Sequence, residues 1–92
     1  MTTDDRAADT ASALLTAARD AGMTITGDGR VTEADAAVLL GYAPETLAKK
    51  RTLGSGPVAY GRGFGGARIS YRLDDLARWI EAGREIFCNN PD

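Results

Sequence analysis

The chain contains no histidine, a single cysteine (Cys88), and no apolar run approaching the roughly 20 residues a membrane span needs. Each absence removes a class of function. Without histidine or a cysteine cluster, a transition-metal site has no ligand set. A serine or cysteine nucleophile would lack its usual imidazole base. Cys88 cannot close an intrachain disulfide, so a reduced cytoplasmic setting is the expectation. Residues 1–20 are acidic and alanine-rich, unlike a secretory signal. Carboxylates are plentiful, but they stand mostly where helix starts favour them. Asp28 and Asp35 do not make a calcium loop, because the acidic spacing and the closing Glu are missing. The expectation is a protein that is not an enzyme, with no catalytic residues, no metal and no cofactor.

What is present is a chain of 92 residues, 43% hydrophobic and 26% charged, the composition of one ordinary soluble domain. A domain of this size buries roughly 60–65% of its unfolded surface, so its core is modest. The net charge is −2, but it is unevenly spread. Residues 44–72 carry six basic side chains (Lys49, Lys50, Arg51, Arg62, Arg68 and Arg72) against one acid, Glu45. Acids outnumber bases on both sides of that segment. A binding face for nucleic acid needs clustered charge and not a basic total, and this cluster supplies it.

Residues 1–9 are small and polar and are expected to be a flexible N-terminus. Thr10 can cap a helix that runs to about Ala21 and ends at Gly22, with Leu14, Leu15 and Ala18 on one face. Met23–Thr26 is a short β-prone piece, and Arg30-Val31 is expected to pair back with it across the turn Gly27-Asp28-Gly29. Thr32 starts the next helix, with Glu33 and Asp35 at its positive end and Ala36, Leu39 and Leu40 on one face. Gly41 ends it, and Pro44 suits the first position of a following helix that runs to about Thr52. Two short helices joined by a tight glycine-containing turn are the helix-turn-helix signature. Val58 and Tyr60, then Ile69 and Tyr71, predict a hairpin of strands 58–60 and 68–72 with a glycine-rich tip. Asp74 and Asp75 open a last helix that places Leu76, Trp79 and Ile80 inward, with Trp79 as a core residue. The domain is expected over 10–86, with an accessory helix at 10–22, a core at 31–82, and a loose tail at 87–92.

Two sets of residues are candidates for contact with DNA. On the second helix of the pair these are Glu45, Thr46, Lys49, Lys50 and Arg51. The first two lie near the helix start, where recognition helices touch base edges, and the basic residues suit phosphates. At the hairpin they are Arg62, Gly63, Phe64, Gly65, Arg68 and Arg72. A tip without side chains lets backbone approach a phosphate or a minor groove, and flanking arginines supply the charge. Phe64 at such a tip is a wedge, a partner contact, or a residue folded back onto the domain. With four or five phosphates neutralised, log affinity is expected to fall with log salt at a slope of about −4. The run Gly61-Arg62-Gly63-Phe64-Gly65-Gly66 matches a dinucleotide-binding pattern, but Arg68-Ile69-Ser70-Tyr71 is strand-like where that motif needs a helix. Tyr60 and Tyr71 suit strand packing rather than the nucleophile of a recombinase, which would also need an assisting histidine.

Several of these segments resemble, in order and spacing, the excisionase and AlpA-like group of small winged-helix proteins, which is related to the MerR-type DNA-binding domain. Residues 32–41 resemble that family's first helix and Thr46-Leu47 the core of its recognition helix. Gly56-Pro57 and Arg68-Ile69-Ser70-Tyr71-Arg72 resemble its wing, and Asp75-Leu76 with Trp79-Ile80 its closing helix. The sequence departs from the family at Lys50, where an aromatic is common, and at Ala43, where a Ser or Thr cap is common. Residues 1–30 have no counterpart in the minimal family domain. The resemblance implies an α+β winged helix-turn-helix with a small antiparallel hairpin wing, to which this chain adds an N-terminal helix. It implies an accessory protein of a phage or integrative mobile element, in a bacterial host, that binds and bends attachment-site DNA cooperatively and directs an integrase toward excision. The partners implied are double-stranded DNA, neighbouring copies of the chain and an integrase, with no membrane. Relatives of this kind also regulate transcription, and small terminase subunits use a similar domain in DNA packaging.

Overall fold

Thr32 ends a strand and opens a helix. Its hydroxyl accepts a hydrogen bond from the Asp35 amide (3.2 Å), which satisfies one of the amides a helix start leaves unpaired. The computed structural model, which describes residues 3–84, builds outward from this point. The elements are α1 (Thr3–Asp20), β1 (Arg30–Thr32), α2 (Glu33–Leu40), α3 (Pro44–Leu53), β2 (Ser70–Arg72) and α4 (Leu73–Ala82). This is a small α+β arrangement of four helices and one two-stranded antiparallel sheet.

The junction between α2 and α3 follows the chemistry of its residues. Gly41 takes a left-handed conformation (φ 80°), a region that side chains disfavour. The turn is closed by the Gly41 amide on the Val38 carbonyl (3.1 Å) and the Tyr42 amide on the Ala37 carbonyl (2.8 Å). Pro44 follows at the first position of α3, where its missing N–H costs nothing. On α3 only Leu47 is buried.

Helix α1 begins about two turns earlier than the sequence suggests. Residues 3–9, expected to be a flexible N-terminus, are helical. Ala7 extends the apolar stripe of Ala11, Leu14, Leu15 and Ala18 by one turn and is itself buried. Thr10 does not cap this helix; its hydroxyl donates to the Glu81 carboxylate (2.8 Å) on α4, the helix against which α1 mainly packs. Ala7 on α1 and Ala77 on α4 are both buried in the same apolar cluster.

The strand pairing also differs from expectation. β1 pairs with β2, with Arg30 opposite Arg72, Val31 opposite Tyr71 and Thr32 opposite Ser70. Residues 58–60 form no strand; Tyr60 makes a single bridge to Ser70 on the other side of β2. Residues 23–26 form no strand; Thr26 meets Arg30 through its amide on the Arg30 carbonyl (3.0 Å) and its hydroxyl, which accepts from the Arg30 amide (2.9 Å). The reason is burial. Val31 and Tyr71 face each other fully enclosed, whereas Val58 remains 64% exposed and Pro57 has no N–H to extend a ladder.

The core comprises Val31, Ala36, Ala37, Leu47, Tyr71 and Leu76, all fully buried, with Ala7, Leu14, Leu73 and Ala77 around them. Trp79 is not among these residues. It is half-buried, edge-on to Tyr42 (centroids 6.2 Å apart, 69° between planes), and lines a shallow groove with Leu39, Leu40 and Ile80. The tail at 87–92 lies outside the described residues.

Burial therefore ranks the two residues. Leu47→Ala is expected to lower the unfolding free energy by about 3 kcal/mol and Trp79→Ala, half-buried, by about 2 kcal/mol. Urea denaturation of the two variants measures this, and a larger loss for Trp79→Ala would contradict the packing described.

Candidate nucleic-acid interface

Helix α3 presents Glu45, Thr46 and Lys49 to solvent, with Thr52 and Leu53 further along the same exposed surface. The periodicity explains this. With Leu47 inward, Glu45, Lys49 and Thr52 fall on the opposite side at 100° per residue, while Lys50 and Arg51 flank Leu47. Lys50 is half-buried with its ammonium 5.5 Å from the centre of the Tyr42 ring, a cation–π contact.

Arg51, which the sequence places among phosphate contacts, is occupied within the fold. Its Nε donates to Glu33 Oε2 (2.7 Å) and its Nη2 to Glu33 Oε1 (3.2 Å). The Tyr71 hydroxyl donates to the same Glu33 Oε2 (2.8 Å). One carboxylate on the first turn of α2 thus binds the last turn of α3 and the buried strand β2. The Arg51 guanidinium, and then the Tyr71 hydroxyl, hold the Glu33 carboxyl below its ordinary pKa. Burial, and then the neighbouring Glu33 carboxylate, push the Tyr71 phenol well above its ordinary value.

The loop between Tyr60 and Ser70 is bonded at its base to a residue outside the basic segment. Arg30, on β1, donates from Nε to both oxygens of Asp28 (3.0 Å each) and from Nη1 to the Arg62 carbonyl (2.9 Å) and the Ser70 hydroxyl (3.0 Å). Its guanidinium carbon lies 5.6 Å from the centre of the Tyr60 ring and 6.0 Å from that of Phe64. Phe64 is therefore folded back, half-buried, and does not project as a wedge. At the tip the Ala67 amide closes on the Phe64 carbonyl (2.9 Å), with Gly65 and Gly66 at positive φ. Gly63 is required for a different reason: a Cβ there would lie 2.1 Å from the Ala67 carbonyl oxygen.

Arg30 and Arg72 stand directly opposite each other across the sheet, an unfavourable pairing of like charges. Asp28 relieves it: its carboxylate takes Arg30 and its backbone carbonyl accepts from Arg72 Nε (3.3 Å). The Thr26 hydroxyl, which donates to Asp28 Oδ1, and Arg30 together hold the Asp28 carboxyl below its ordinary pKa. The Tyr60 hydroxyl beside Arg72 strengthens that guanidinium's hold on its proton.

The basic segment thus divides. Arg51 and Arg72 are bonded into the fold, Lys50 lies half-buried on Tyr42, and Lys49, Arg62 and Arg68 are exposed. Sequence reasoning missed Asp28, Arg30, Glu33 and Tyr71 as organisers of the surface. One signal was available for Arg30: an arginine beside a Gly-Asp-Gly turn, at the mouth of a strand, has a carboxylate within reach. Among the described residues, no helix is long and apolar enough to cross a membrane. Comparison with protein-family models, with curated proteins and with solved structures returns no match.

The Glu33 cluster makes a pH prediction. The folded-state pKa of Glu33 lies below its unfolded value, so its contribution is complete above the ordinary value of 4.5 and is lost as pH falls below that. Glu33→Gln is expected to destabilise the protein by about 2 kcal/mol at neutral pH. In denaturant titrations at a series of pH values, that difference should shrink steadily under acid conditions. A gap between the two proteins that stays constant down to strongly acid pH would remove Glu33 as the cause.

Proposed function

We propose that this chain is a sequence-specific DNA-binding accessory protein of the excisionase type, with a winged helix-turn-helix as its reading head. The observation that carries this reading is the outer face of α3. It exposes Glu45, Thr46 and Lys49 while Arg51 is turned inward, and it follows α2 through the tight Gly41 turn. That is the layout in which a second helix enters a major groove with its N-terminal residues toward base edges. The exposed Arg62 and Arg68, on a loop with little side-chain bulk, suit the backbone or minor groove alongside. The resemblance of residues 31–81 to excisionases directs the reading to attachment-site DNA, bent by copies bound in tandem, with an integrase as the beneficiary. No chemical step is assigned to the chain; its work is to change DNA geometry.

The distribution of cations changes the expected salt response. With Lys49, Arg62 and Arg68 as the available charges, log affinity should fall with log salt at a slope of about −3, shallower than the basic count alone suggests. Lys49→Ala and Arg68→Ala should each weaken binding, reduce the slope by about 1, and leave the melting temperature nearly unchanged. Gel-shift titrations on attachment-site DNA at several salt concentrations test this, and affinity indifferent to salt would end the reading. In cells, a deletion strain separates excision from transcription: loss of promoter output with integrase-dependent excision intact would make the protein a regulator instead.

A further inference from the structure

We propose that Arg30 is a positioning residue for DNA binding: it fixes the loop 61–69 in one conformation, so that Arg62 and Arg68 are presented to the duplex already ordered. The inference rests on the DNA-binding reading above but assigns a role to a residue outside the basic segment. Three observations carry it. First, the Arg30 guanidinium reaches both ends of the loop, the Arg62 carbonyl at one side and the Ser70 hydroxyl at the other. Ser70 is fully buried and donates to that same Arg62 carbonyl (3.3 Å), which closes a ring of bonds across the loop's base. Second, the cation sits against Tyr60, before the loop, and Phe64, at its tip, so the tip is drawn back over its own base. Third, Arg30 is itself fixed from below by Asp28, and its side chain is only 21% exposed.

A loop with glycines at 61, 63, 65 and 66 would otherwise sample many conformations, and ordering it on DNA would weaken binding. The guanidinium suits the task because its planar fork bonds several fixed acceptors while its flat faces stay open to aromatic rings, a geometry that a compact ammonium lacks. With Nε and Nη1 committed to internal acceptors, Arg30 acts through the loop rather than on a phosphate.

The experiment compares wild type, Arg30→Gln, Arg30→Lys and Gly63→Ala. Backbone 15N relaxation of the free proteins reads loop order, and duplex titration across salt concentrations reads affinity and slope. Gly63→Ala disturbs the loop from the Ala67 side while leaving the Arg30 side chain in place, so it serves as a second lesion. All three variants are expected to show faster picosecond–nanosecond motion over residues 62–68 with α3 unchanged, and about tenfold weaker binding at the wild-type salt slope. Wild-type affinity in Arg30→Lys would mean that charge alone suffices, and a slope reduced by about 1 in Arg30→Gln would make Arg30 a phosphate contact. Either result overturns the proposal, as does a lowered melting temperature with loop order and affinity intact. A wild-type protein that ignores duplex DNA defeats the functional reading alone; the relaxation data then still decide whether Arg30 orders the loop.

Discussion

The Glu33 carboxylate is the constraint on which the arrangement of elements depends. It opens α2, and it accepts from Arg51 at the end of α3 and from the buried hydroxyl of Tyr71 on β2. A phenol enclosed in the core must have its O–H paired, and a carboxylate only 19% exposed must have its charge answered. Each of the three groups meets the other's requirement, so the cluster is satisfied as a unit. Among the described residues, no buried side-chain polar atom is left without a partner. The apolar residues beneath, Val31, Leu47 and Leu76, supply the burial energy, and the cluster sets the relative position of the elements that deliver them.

A second polar centre, around Arg30 and Asp28, does for the loop what Glu33 does for the helices. It reconciles two arginines that the sheet register places face to face and ties down a segment whose glycines give it no rigidity of its own. The two centres together determine which cations remain at the surface. One pairs Arg51 with Glu33, the other holds Arg72 Nε on the Asp28 carbonyl, and Lys49, Arg62 and Arg68 of the basic segment are exposed. The surface offered to a polyanion is therefore smaller than the basic segment suggests, and more defined.

Helix positions were largely legible in the sequence because their signals are local. Thr32, Gly41 and Pro44 each act on backbone groups within a few residues, and the structure places α2 and α3 within about a residue of the expected limits. The start of α1 was missed because Ala7 is held by α4, and nothing near residue 7 announces that contact. The strand partners were misread for a related reason. The nearest β-prone segments are the natural guess, yet Val31 and Tyr71 enclose each other and outweigh pairings that leave Val58 in solvent. Size alone suggests a core place for Trp79, but its ring is half-buried and stands edge-on to Tyr42.

The charge map shows the same division. The sequence by itself determined where the basic residues lie along the chain and that they stand against acidic flanks. It could not say which of them are free. Arg51 meets Glu33 across 18 positions of sequence, and Arg30 meets Ser70 across 40. Capping and turn formation are settled by neighbours in the chain, whereas an ion pair is settled by neighbours in space. Only the tertiary structure decided which cations were neutralised, and so which face of this acidic protein remains open to an anionic partner.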